Sequence, residues 1–213
     1  MLISSYNKAG MGDVLVLLTA PQTGATQAEQ KGDIVRLANE TNETIGYNIL
    51  NASERLDLGD AVGQIQLDAE QVAILNQALT DAGFTADLEV DTDPKFVVGY
   101  VESAEPHPDS DHLQITTTQI GNGETLQIVS GSPNMQAGIK VVVAKVGAMM
   151  PSGLVIWPGA LRGVDSNGMI VSGRELGLPN APQQPGALIL PEDFDEVGAP
   201  FDAKAPKAQA LFE

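Results

Sequence analysis

The chain has 213 residues, 11 Lys plus Arg against 28 Asp plus Glu for a formal net charge of −17, two His, no Cys and 4% aromatic residues. A chain this long buries about 70% of its unfolded surface and needs neither metal nor disulfide to hold a core, and without cysteine every thiolate, iron–sulfur, Cys-ligated zinc and disulfide chemistry is excluded. The acidity repels phosphate at long range, yet it is uneven: residues 1–93 hold 4 basic and 15 acidic side chains whereas 94–180 hold 5 and 7, so the middle of the chain is the least hostile to a polyanion.

In chain order, Val14 to Leu18 reads as a buried strand, and Asp33 to Ala38 and Thr44 to Leu50 as two more, joined by the polar turn Asn39 to Glu43. A helix follows, with Asp68 as its cap, Gln71 three residues on, Val72, Leu75, Leu79 and Ala82 at helical spacing, and Gly83 placed to end it. Residues 1–90 are therefore expected to form a small α+β domain. The acidic, proline-containing stretch Thr85 to Lys95 has no sustained period and marks a domain boundary. Short β-rich runs follow at Phe96–Val101, Leu113–Thr118, Thr125–Val129, Lys140–Val146 and Leu154–Trp157, separated by Gly- and Pro-rich turns such as Gly121-Asn122-Gly123. Strands so spaced, with no long helix between them, predict an all-β barrel or sandwich over 91–201. The extension contains one more apolar run, Ala187 to Leu190, and residues 202–213 read as a flexible tail.

No run reaches the roughly 18 apolar residues of a membrane span. Val14 to Leu18, preceded by Lys8 alone among basic residues, lacks the basic start and long apolar middle of a secretory signal, so a cytoplasmic protein without a membrane partner is expected.

Five ordered blocks resemble a known family: His107-Pro108-Asp109-Ser110-Asp111-His112-Leu113, Leu126 to Asn134, Gly138 to Ala144, Leu161-Arg162-Gly163-Val164-Asp165-Ser166-Asn167-Gly168-Met169 and Glu175-Leu176-Gly177-Leu178. They are similar to the tRNA-binding domain of stand-alone bacterial tRNA-binding proteins, some methionyl-tRNA synthetases, endothelial monocyte-activating polypeptide II and the phenylalanyl-tRNA synthetase β-subunit. A further domain in front of such a module resembles the arrangement of the YtpR family. The resemblance implies an OB-fold barrel, a non-catalytic tRNA-binding accessory role, a homodimer and no cofactor or metal. Onto this sequence it carries Arg162, Ser166, Met169, Asn134, Lys145, Ser130, His112, Arg174 and Lys140 as RNA-binding residues. Serine hydroxyls and the Asn134 amide can donate to phosphate oxygens, and Arg162, Arg174, Lys140 and Lys145 supply charge.

Two departures reduce the charge of that face. His112 stands where the family has lysine, and Ala160 precedes Leu161 where a lysine is frequent. Each phosphate contact contributes about 0.7 to 0.9 to the salt slope of binding, so only a handful remain. The alternative reading is a protein-interaction or dimerisation module with little RNA affinity, docking onto a synthetase or another protein. His107, Asp109, Asp111 and His112 could hold a divalent ion but have no distant third His or Cys to complete a tetrahedron, and a polar loop is the plainer reading. Serines in glycine-rich turns lack the Gly-x-Ser-x-Gly elbow, so no catalytic residue is expected.

Overall fold

Leu15 and Leu17 emerge from one face of the strand Val14–Leu18 and are fully buried, while Val14, Val16 and Leu18 on the other face are half-buried. That period-2 alternation makes the strand the centre of a sheet. In the computed structural model, which describes residues 1–213, the chain divides into two compact units, Met1–Asp93 and Pro94–Glu213.

The first unit is a six-stranded antiparallel sheet of β1 (Ile3–Asn7), β2 (Val14–Leu18), β3 (Gln27–Lys31), β4 (Ile34–Ala38), β5 (Thr44–Leu50) and β6 (Val62–Ile65), in the order β3-β4-β5-β2-β1-β6. A one-turn helix α1 (Lys8–Met11) joins β1 to β2. The long helix α2 (Ala69–Asp81) begins at a complete capping box: the Asp68 carboxylate accepts from Gln71 N at 2.8 Å and the Gln71 side chain accepts from Asp68 N at 3.1 Å. Its stripe of Val72, Leu75, Ala78 and Leu79 packs with Leu15, Leu17, Tyr47 and Ile49 in one core. Each of the larger side chains contributes on the order of 2 kcal/mol there.

In the second unit β7 (Phe96–Pro106) pairs with both β8 (Gln114–Gly121) and β10 (Lys140–Lys145), β8 pairs with β9 (Glu124–Ser130), and β10 also pairs with β13 (Gly168–Ile170) and β14 (Ile189–Leu190). The remaining strands, β11 (Gly159–Leu161) and β12 (Val164–Ser166), form a separate hairpin. A bulge between Val101 and Ser103 bends β7, as bulges do. On β10, Val141 and Val143 enter one core with Val97, Val101, Ile128 and Ile170, while Val142 and Ala144 enter another with Val98, Met150, Val171, Leu188 and Phe201. A strand covered on both faces needs apolar residues at every position, hence Val-Val-Val-Ala.

The sheet leaves β9 and β13 as its two edges. No ladder joins them. Instead the turn between β12 and β13 clasps β9: Asn167 N donates to Gln127 O at 2.9 Å, Gln127 Nε2 donates to Asp165 O at 2.8 Å, and Val129 N donates to Ser166 Oγ at 3.1 Å.

Four expectations are corrected. The first unit is β-rich, six strands with one long helix, instead of the α+β unit expected; β1, β3 and β6 carry little apolar alternation. The second unit is an OB-like bent sheet whose strands do not close into a barrel, because a clasp of one backbone and two side-chain bonds stands where the last ladder would be. Residues 202–213, read as a flexible tail, are packed: α3 (Pro206–Gln209) buries Ala208, and Phe212 packs against the second core beside Gly173. Leu154 to Trp157 contributes only an isolated bridge from Val155 to Met149.

Candidate nucleic-acid interface

The end of β9, the β12–β13 corner and the segments around residues 154–161 and 172–175 enclose a cleft of about 580 Å³. The corner is close-packed. Gly168 has φ +155°, and a Cβ there would lie 3.1 Å from Ala144 O, so the chain turns where a side chain would strain it. Four of the nine expected residues line this cleft: Ser130, Ser166, Met169 and Arg174. Lys145 lies next to it in register, opposite Gly168 across the β10–β13 pair.

Ser130 and Ser166 are only about 5% exposed and their hydroxyls are already used. Ser130 Oγ accepts from Ser132 N at 3.3 Å, while Ser166 Oγ accepts from Val129 N and donates to Gly168 O at 3.3 Å. Both shape the cleft more than they present donors to it. Arg174 is exposed and donates to Gln183 O at 3.2 Å through one nitrogen, which leaves most of its donor fork outward. Beside it, Glu175 is held by Ser172, whose N and Oγ donate to Glu175 Oε2 at 2.8 and 2.6 Å.

Arg162 and His112 meet at a second place. Leu161 and Val164 pair, so Arg162 and Gly163 form a two-residue hairpin tip with φ +47° and +82°, the geometry of a type I′ turn. From that tip Arg162 donates to Asp109 O at 2.6 Å, and His107, buried at the foot of the same loop, meets Leu161 O through Nε2 at 3.1 Å. His107 Nδ1 accepts from Asp109 N at 3.0 Å, so the proton sits on Nε2 and both ring nitrogens serve the backbone. Ser110 Oγ accepts from Leu113 N at 3.2 Å. The loop is thus organised by an imidazole and a hydroxyl. Exposed His112 contacts Asp111 at 2.8 Å. That hydrogen bond first, then bonding to its own backbone and the charges of His112 and Arg162, holds the Asp111 carboxyl below its ordinary value.

The other two expected residues serve the tail. Asn134 donates to Ala187 O at 2.9 Å and accepts from Ala187 N at 2.8 Å, satisfying the tail backbone as a strand would. Lys140 donates to Glu192 O and Asp195 O at 2.6 and 3.0 Å. Leu154, Leu161 and Trp157, which also line the cleft, were not expected as site residues. Their only sequence signal is a set of large apolar side chains within a Pro- and Gly-rich stretch.

Residues 96–199, which hold the cleft and both polar loops, match the family described as "Putative tRNA binding domain", and residues 21–91 match "Domain of unknown function (DUF4479)". The second unit is therefore a module of the tRNA-binding-domain class. The whole chain belongs to the YtpR family, for it is 50% identical over 195 residues to the "Putative tRNA-binding protein YtpR" of Bacillus subtilis, covering 89% of this chain and 94% of that one. It is also 42% identical over 146 residues to the phenylalanine–tRNA ligase β-subunit of Oceanobacillus iheyensis, covering 65% of this chain but 18% of that subunit. A MetRS-related protein of Pyrococcus horikoshii aligns with TM-score 0.37 and 22% identity over 53% of this chain and 97% of that chain.

Proposed function

We propose that this chain is a non-catalytic, cytoplasmic tRNA-binding accessory protein that presents residues 94–213 as its RNA platform, as a homodimer. The observation that carries the reading is the coincidence of the tRNA-binding-domain match, residues 96–199, with the segment that builds the cleft and the Arg162 hairpin. Arg174, Met169 and Lys145 at the cleft and Arg162 with His112 at the hairpin are the contact residues; Ser130, Ser166, Asn134 and Lys140 hold the platform in shape. Its B. subtilis relative bears a tRNA-binding name and its synthetase relatives act with tRNA by name, which supports the same partner.

Fluorescence polarisation of labelled bulk tRNA with the full chain tests this. A dissociation constant on the order of 10⁻⁶ M is expected, in the range of contacts dominated by phosphate. Light scattering should report about twice the 22.3 kDa chain mass. The docking-module reading draws support from the engagement of Lys140 and Arg162 with backbone carbonyls, and becomes the better one if no tRNA binds even at low salt.

A further inference from the structure

The second unit is poor in available positive charge for an RNA platform. Seven Lys and Arg stand against 13 Asp and Glu in residues 94–213. Lys140 is spent on two tail carbonyls, Lys207 on an ion pair with Asp195 and on the Phe194 ring, and Arg162 in part on Asp109. Neutralised phosphates alone then supply little affinity, and something uncharged must supply the rest. The cleft wall offers such an uncharged surface. Leu154 is 56% exposed and Leu161 41% exposed, and they line the same space as half-buried Trp157 and Met169.

We propose that this cleft binds a single unpaired nucleotide of RNA, its base against Trp157 and Met169 and its phosphate against Arg174. The proposal rests on the RNA-binding reading above and assigns the recognised element within it. A cleft of about 580 Å³ falls within the 300 to 1,000 Å³ typical of small-ligand sites. Every base has a flat π-face, so an aromatic and apolar wall accepts any of the four, in keeping with nonspecific binding. Arg174 is the cation lining the cleft, while Glu175 beside it, fixed by Ser172, repels a second phosphate. One phosphate and one base fit that charge pattern; a backbone running through the cleft does not. A base paired in a duplex has no face to offer, so the unit selects unpaired positions.

Trp157 is the sole tryptophan, so its fluorescence reports the cleft alone. The full chain is titrated at low salt with adenosine monophosphate, adenosine, inorganic phosphate, an unstructured oligoribonucleotide, a blunt RNA duplex of equal length and a short apolar peptide, while polarisation follows labelled tRNA in parallel. Saturable quenching is expected with the mononucleotide and the single strand, and none with phosphate or duplex. Trp157→Ala, followed by polarisation because the fluorophore is removed, should weaken single-strand binding at least about five-fold, the lower end of what one base stacked on an aromatic ring supplies. Arg174→Gln, at an exposed position that leaves the fold intact, should weaken the mononucleotide more than it weakens adenosine. If tRNA binds by polarisation but Trp157 responds to neither mononucleotide nor single strand, the cleft assignment is overturned and the RNA reading stands. If tRNA does not bind either, both fall. Quenching by an apolar peptide but by no nucleotide would assign the cleft to a protein partner and overturn the proposal.

Discussion

Ser166→Ala tests the clasp that stands in for the missing ladder. Val129 N–H points from the free edge of β9 and is buried, and its acceptor is the Ser166 hydroxyl at 3.1 Å. Alanine keeps the backbone but leaves that N–H, on a residue about 6% exposed, without its partner. An orphaned buried donor costs about 1 to 3 kcal/mol, and loss of the weaker bond to Gly168 O adds a fraction of that. At about 3 to 5 °C per kcal/mol for a unit of this size, the melting transition of the second unit should fall by roughly 3 to 15 °C. Differential scanning calorimetry of the full chain measures it, with Ser152→Ala in an exposed loop as the control expected to stay within about 0.5 kcal/mol. A Ser166→Ala protein that melts within about 2 °C of wild type would show that the edges of the sheet hold together without the clasp.

Three other outcomes follow from the same geometry. Asn134→Ala removes both bonds to the Ala187 backbone and should destabilise the second unit by about 1 to 3 kcal/mol in urea, while the tRNA affinity of the folded fraction stays within two-fold of wild type. The Asp111 carboxyl is held below its ordinary value by His112, so its contribution to the 107–112 loop is complete above the unfolded aspartate pKa of about 3.9 and is lost as pH falls through the lower folded value. Amide hydrogen exchange in that loop, corrected for intrinsic rates, should therefore be unchanged from about pH 5 to 4 and lose protection only below that, and loss of protection between about pH 5 and 4 would contradict the assignment. Removing the tail after Asp202 strips Ala208 and Phe212 from the second core and should lower the melting temperature of the second unit measurably, whereas a mobile tail would leave it unchanged.

How much the sequence discloses depends on whether a feature repeats locally. Leu15 and Leu17 alternate, α2 shows its cap and stripe in consecutive turns, and Val141 to Ala144 is apolar throughout because both faces are covered, so all three are legible. β3, Gln-Ala-Glu-Gln-Lys, is exposed at every position and has no pattern to read. The pairings that distinguish a bent sheet from a closed barrel join residues far apart in sequence: Ser166 with Val129 across 37 positions and Asn134 with Ala187 across 53. A serine or asparagine in a turn carries no mark that separates these backbone-satisfying roles from contact with phosphate. The cleft is hidden for a related reason, since Leu154 to Trp157 reads as a strand run yet forms only an isolated bridge, and Leu154, Trp157 and Leu161 acquire a shared role only when β12 and β13 fold beside them.

The most direct measurement of the RNA platform is filter binding of bulk tRNA to the full chain over a series of salt concentrations, for wild type, Arg162→Ala and His112→Lys. Arg162 stands at the hairpin tip with donors beyond the one given to Asp109, so its loss should cost roughly 1 to 3 kcal/mol and reduce the salt slope by about one. His112→Lys adds a cation to the same exposed surface and should tighten binding and steepen the slope. Absence of tRNA binding in all three proteins at the lowest salt would contradict the RNA platform outright.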